Sequence, residues 1–255
     1  CRWASVHRGK AAASSCGDAD HHGPFCLCSP GLATRISFTM GLAESSCDPS
    51  WAPAKSSRMA MNCWPARSRT TTSTPAARTL YTVENIRKAL ENAEPSEPDR
   101  WDSAFDQLAG YLVLDALVAG RDRHHENWAV MVSMDGGRRL APSFDHGNAL
   151  GFAEPVERAE ALISDSSRLQ SWLRKGTSHH FAGRPGLVEV ARRALSLCTI
   201  RSRQRILDSV RAFDLHELRT ATEHLPQQIM SEPHRRLAVR IVEENRRRLF
   251  DALHS

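Results

Sequence analysis

Three oxygen-bearing side chains stand at spacings that could do chemistry together. In RDRHHENW, Asp122 is followed five residues later by Asn127; in LAPSFDHG a second carboxylate, Asp145, opens an Asp-x-Gly. Phosphoryl transfer asks a protein for few groups: a carboxylate to orient or deprotonate an acceptor hydroxyl, oxygen ligands for Mg²⁺, and cations over the phosphates. A five-residue offset lets one loop aim a carboxylate and an amide oxygen at the same phosphate. The second metal carboxylate must then arrive from another segment facing the same cleft. Two apolar runs, WAVMVSM (128–134) and RRLAPSF (138–144), are joined by Asp135-Gly136-Gly137, which predicts a β-hairpin that returns Asp145 to the loop. Each residue also has an ordinary reading. Asp122 could cap the chain or pair with Arg121 or Arg123, Asn127 could sit in a turn, and Asp145 could open a turn with Gly147. Taken jointly, the two carboxylates, the amide and the hairpin point to a phosphoryl-transfer site.

The elements that must position these groups begin near Leu80. YTVENIRKALENA carries Val83, Ile86 and Leu90 at helical spacing, with Thr82 as N-cap. After the Pro-rich break EPSEP, the stretch WDSAFDQLAGYLVLDALVAG predicts a largely buried helix running into the Gly120-Arg121 turn and delivering the chain to Asp122. Beyond Phe152 the pattern is wholly helical. Helices are expected over 157–163 and 168–174, the latter ending in a basic turn and Gly176. A further helix starts at Pro185, two shorter ones cover 203–213 and 215–224, and a long one opens at Ser231-Glu232-Pro233. The apolar stripe of that last helix is Leu237, Ile241, Val242, Leu249 and Leu253.

Residues 1–79 are different in kind. They hold nine Lys/Arg against four Asp/Glu, while residues 80–255 hold 25 of each, so the whole net charge of +5 lies in the first part. The remainder is neutral, and the charge gives no signal for nucleic-acid binding by a folded domain. The first part has five Val, Ile or Leu and the second 38, so the core must be built from residues 80–255. Six of the seven cysteines fall in residues 1–79 at irregular spacing, which argues against a secreted disulfide framework. No run approaches a membrane span and there is no signal peptide, giving a soluble, cytoplasmic reading. The segment starts with Cys and lacks a sustained period, and only four of the chain's 34 basic residues are Lys. Two accounts of it stand side by side: sequence read out of frame until about Leu80, or a disordered tail. Cys16, His21, His22, Cys26 and Cys28 include zinc-ligand types, but Cys-x-Cys and the loop between the pairs match no common finger.

The central pattern resembles the catalytic loop of HipA-like kinases, in which Asp is followed by His two residues on and Asn five residues on. Asp122, His124 and Asn127 match it, and Asp145 matches the aspartate after the hairpin. DRHHENW…LAPSFDHGNALGF is most similar to an actinobacterial-type branch, as are WLRKGTSHHF (Trp172 to Phe181) and the ENRRRL of the last helix. The likeness covers roughly residues 80–255. Phosphatidylinositol kinases share Asp-Arg-His-x-x-Asn and a following metal-binding Asp, which makes a lipid kinase the nearest enzymatic alternative.

The resemblance implies an α+β, mostly helical fold: the C-terminal lobe of a protein-kinase-like structure with one β-hairpin. It implies ATP and Mg²⁺ as cofactors, Asp122 as catalytic base, and Asn127 and Asp145 as Mg²⁺ and nucleotide ligands. His124 is expected to brace the loop rather than carry a proton, and His125 and His146 receive no role. A protein Ser/Thr hydroxyl is the implied acceptor and, since some members act as toxins, an antitoxin-like protein the implied partner. A complete kinase also needs an N-terminal lobe with a phosphate loop and a Lys. Residues 1–79 show no Gly-rich loop and no strand period, and Lys10 and Lys55 lack supporting neighbours. The expectation is therefore a kinase domain with its N-terminal lobe absent or damaged, truncated or frame-damaged, with activity in this form left open by the sequence. The alternative from another class is a non-catalytic binding module that keeps the fold.

Overall fold

The computed structural model describes residues 58–60 and 80–254. The Cys/His group at 16–28, Lys10, Lys55 and the expected boundary at residue 79 lie outside the described residues. A helix, α1 (Val83–Ala89), comes first after Leu80, started by Thr82, whose hydroxyl accepts from the Asn85 N–H at 3.2 Å. Next is α2 (Ala104–Val118), capped by Ser103, with all fifteen residues buried. A helix with no solvated face must lie at the centre of the fold, and its polar members are all matched. Asp106 accepts from the backbone N–H of Thr199, and Gln107 donates to the Tyr111 hydroxyl.

The hairpin follows as β2 (Val130–Val132) and β3 (Arg138–Leu140), with Val130 opposite Leu140 and Val132 opposite Arg138. Its turn holds Gly136 at φ 85, a left-handed position that glycine fills without steric cost. The hairpin is fixed to α2 by fully buried Leu140 and by the Tyr111 hydroxyl, which donates to the Ala141 carbonyl at 3.1 Å. A three-residue strand, β1 (Arg58–Ala60), pairs antiparallel with β2, so the sheet has the order β1-β2-β3. Three residues are too short for a strand period to register in sequence, which is why none was legible there. On its other side β3 is bridged by Glu94, whose N–H and C=O bond to Arg138 and Leu140 at 2.8 Å each.

The rest is helical: α3 (Val156–Ser164), α4 (Ser166–Lys175), α5 (Leu187–Leu197), α6 (Ile200–Ala212), α7 (Leu215–Glu223) and α8 (Glu232–His254). Helices α5 and α8 pack most heavily on α2, and α8 also covers α3 and α7. The main core is centred on α2, and a second cluster of Ala159, Leu162, Leu169, Trp172, Leu237 and Ile241 joins α3, α4 and α8. The architecture is mostly helical with one antiparallel hairpin, as the fold expectation had it. Two details differ. Helix α5 starts at Leu187 with Gly186 as cap, two residues after Pro185, because Pro185 gives its carbonyl to the Ser178 N–H. Gly176 caps α4 at φ −66 rather than left-handed; it is small because a Cβ there would lie 3.2 Å from Arg121 Nε.

Gly151 sits at φ 68 with its Cβ direction aimed at Leu237 Cδ2, 2.9 Å away, inside the second cluster. Gly151→Ala is expected to lower the unfolding free energy by roughly 1–3 kcal/mol, from left-handed strain plus overpacking. Urea denaturation followed by circular dichroism measures it.

Candidate active site

Helix α2 ends by turning left-handed at Ala119 (φ 57), with the Gly120 N–H closing onto the Asp115 carbonyl at 2.8 Å. The left-handed residue is thus one position earlier than the Gly120-Arg121 turn read from sequence. A Cβ on Gly120 would stand 3.2 Å from Asp115 Oδ1, so the chain passes close over that carboxylate. Residues 121–127 then form the loop that carries three of the four expected site residues.

The loop is organised by Arg123, whose side chain is only 4% exposed. Its guanidinium takes Asp115 in a two-bond fork, Nε to Oδ2 and Nη2 to Oδ1, each 2.8 Å. Nη1 donates to the carbonyls of Asn127 (2.6 Å) and Phe144 (3.2 Å), and Nη2 reaches Ser143 Oγ at 3.3 Å. One buried cation therefore joins the central helix, the loop and the segment leading to Asp145. Burial works against its charge, and the Asp115 carboxylate more than offsets this, raising the Arg123 pKa. The Tyr81 hydroxyl secures the same loop, donating to the Arg123 carbonyl at 3.1 Å and accepting from Trp128 Nε1 at 3.0 Å; burial pushes its phenol pKa up.

Asp122 and Asp145 line one shallow cleft with Asp115, Gly120, His146 and Asn148. The structure thus brings the two expected carboxylates to a common opening, with the hairpin as the connection. Asp145 holds φ 57, a conformation Asp tolerates better than most residues and one that clusters at functional sites. Asn127 is buried beneath the loop, its Nδ2 donating to the Asp122 carbonyl at 2.6 Å. That fixes the amide's orientation and leaves Oδ1 as its free acceptor. His124 is partly buried, and its Nδ1 accepts from the Glu126 N–H at 3.2 Å. Burial lowers its pKa, with the Asp122 charge opposing. His146, unassigned from sequence, is pushed down to about 4 by burial, with Arg123 adding to the effect. Its Nε2 and the Ser143 hydroxyl share a hydrogen bond at 3.0 Å, completing a chain to Arg123.

Asp122 pairs with neither neighbouring arginine. Arg123 is committed to Asp115, and Arg121 stacks over the Trp172 ring at 4.3 Å. The partner of Asp122 is His180, Nε2 to Oδ1 at 2.9 Å, from the loop after α4. Sequence reasoning passed over His180, Arg123, Tyr81 and Asp115. For the last there was a signal: a carboxylate inside the apolar run YLVLDALVAG must find hydrogen-bonding or ionic partners once buried.

The donor set suits Mg²⁺ in kind. The Asp145 carboxylate and the Asn127 amide oxygen are hard ligands, and Mg²⁺ is usually held by one or two carboxylates with substrate phosphates and water completing the shell. Among the described residues no group of three or more His, Cys, Asp or Glu is arranged to hold a metal without such help. Nor is any described helix long and apolar enough to cross a membrane.

No family model matches the chain, and no curated protein does either. Among solved structures, the crystal structure of a Helicobacter pylori proinflammatory kinase, CtkA, superposes with a TM-score of 0.52 at 18% identity, covering 69% of this chain. The chain spans 60% of that structure's length. At this identity the likeness concerns the fold, and the fold of this chain is that of a kinase-like lobe.

Proposed function

We propose that residues 80–255 are the C-terminal lobe of a HipA-like kinase that transfers the γ-phosphate of ATP to a protein Ser/Thr hydroxyl. The observation that supports this most is the shared cleft of Asp122 and Asp145, with Asn127 fixed directly under Asp122. In this reading Asp122 orients the acceptor hydroxyl and receives its proton as the oxygen bonds to the γ-phosphorus and ADP departs. Asn127 and Asp145 would hold Mg²⁺ through the amide oxygen and the carboxylate. When bound, the ion offsets the charge of the phosphates. His124, tied to its own loop, keeps the Asp122–Asn127 segment in shape. A protein acceptor and an antitoxin-like partner belong to the same proposal.

Mg-ATP titration by calorimetry tests it. Wild-type protein is expected to bind nucleotide with Mg²⁺ present, and Asp145→Ala to weaken that binding by roughly tenfold or more, the usual scale for losing a charge-assisted ligand. Without Mg²⁺ the two proteins should differ little. Equal Mg-ATP affinity in both, or none in wild type, would count against the proposal.

A further inference from the structure

We propose that His180 is a positioning residue for Asp122, holding one carboxylate oxygen so that the other faces the acceptor; this rests on the kinase reading above. Among the described residues, His180 Nε2 at 2.9 Å is the one hydrogen-bond partner of the Asp122 carboxylate. A carboxylate only accepts, so Nε2 carries the proton and donates. Oδ1 is thereby occupied, and Oδ2 remains for a substrate hydroxyl.

The contact is set by the core rather than by two free side chains. His180 lies in the loop between α4 and α5, closed at its base by the Thr177–Gly186 bridge and by the Ser178 N–H on the Pro185 carbonyl at 2.9 Å. The next residue, Phe181, is buried edge-on against the Tyr81 ring at 4.6 Å, and the Ala182 N–H donates to the Tyr81 carbonyl at 3.0 Å. Tyr81 also binds the carbonyl of Arg123, the residue after Asp122. One buried tyrosine thus references both members of the pair. The His124 ring, 4.8 Å from that of His180, walls the imidazole on a further side. Such support limits the rotamers of a half-exposed carboxylate at low entropic cost when the acceptor arrives.

The test is steady-state phosphate transfer by wild type, His180→Leu and His180→Gln, with melting curves to confirm that all three fold. His180 is exposed enough for both variants to fold. His180→Leu is expected to lose roughly 10- to 100-fold in kcat with KM for ATP unchanged, the scale of a misplaced catalytic group. His180→Gln, which restores an N–H donor at similar reach, should recover to within about fivefold of wild type. Wild-type kcat in His180→Leu, an equal deficit in the Gln variant, or a loss confined to KM for ATP each overturns the positioning role alone. Absence of transfer in wild type overturns the kinase reading beneath it.

Discussion

Asp122→Asn should cut phosphate transfer by roughly 10²- to 10⁴-fold, the range associated with a positioned acid–base group, while leaving the melting temperature nearly unchanged. The two halves of this expectation have separate causes. The Asp122 side chain is 46% exposed, and among the described residues its one hydrogen bond is to a half-exposed imidazole. Pairs of that kind contribute little to stability. What holds the loop is the Asp122 backbone carbonyl, which accepts from Asn127 and from the His124 N–H at 2.9 Å, and neither bond needs the carboxylate. The chemical half follows from basicity: an amide keeps the shape and the contact with His180 but cannot take up the hydroxyl proton. A rate assay paired with thermal denaturation checks both.

Arg123→Met should do the reverse, acting first on the fold. It leaves the Asp115 carboxylate buried without its cation and strips the Asn127 and Phe144 carbonyls of their donor. Breaking a buried pair by removing one partner typically costs about 3–5 kcal/mol. Chemical denaturation should show a loss of that size. The double replacement Asp115→Leu, Arg123→Met should be less destabilised than the single one, because no charge is left buried. A residual deficit should persist from the two carbonyls. Since Arg123 joins the Asp122 loop to the segment before Asp145, any folded single variant should also bind Mg-ATP more weakly.

The contrast explains which parts of the molecule the sequence could disclose. Helices were legible where apolar residues recur on one face: Val83 and Ile86 in α1, or Leu237, Ile241 and Val242 in α8, lie inside the observed elements, and Thr82 and Ser231-Glu232-Pro233 mark where those two start. Strands were read too long. Runs at 128–134 and 138–144 shrank to Val130–Val132 and Arg138–Leu140, because Trp128 and Phe144 serve the loop and its return rather than the ladder. The Asp122, Asn127 and Asp145 set was visible since its spacing within the loop and across one hairpin is local. His180 was not, because its position depends on Tyr81 and Phe181 packing together across the core, which no local spacing encodes. Arg123 was legible in sequence only as a candidate partner of Asp122; its burial emerges only when Asp115 on α2 is seen to face it.

The central claim, that this cleft moves phosphate from ATP to protein, is met most directly by incubating the purified chain with Mg²⁺ and [γ-³²P]ATP, followed by phosphoamino-acid analysis. The account predicts labelled phosphoserine or phosphothreonine from wild type and none from Asp145→Ala. Label in phosphatidylinositol vesicles instead of protein, or equal label in both proteins, would contradict it.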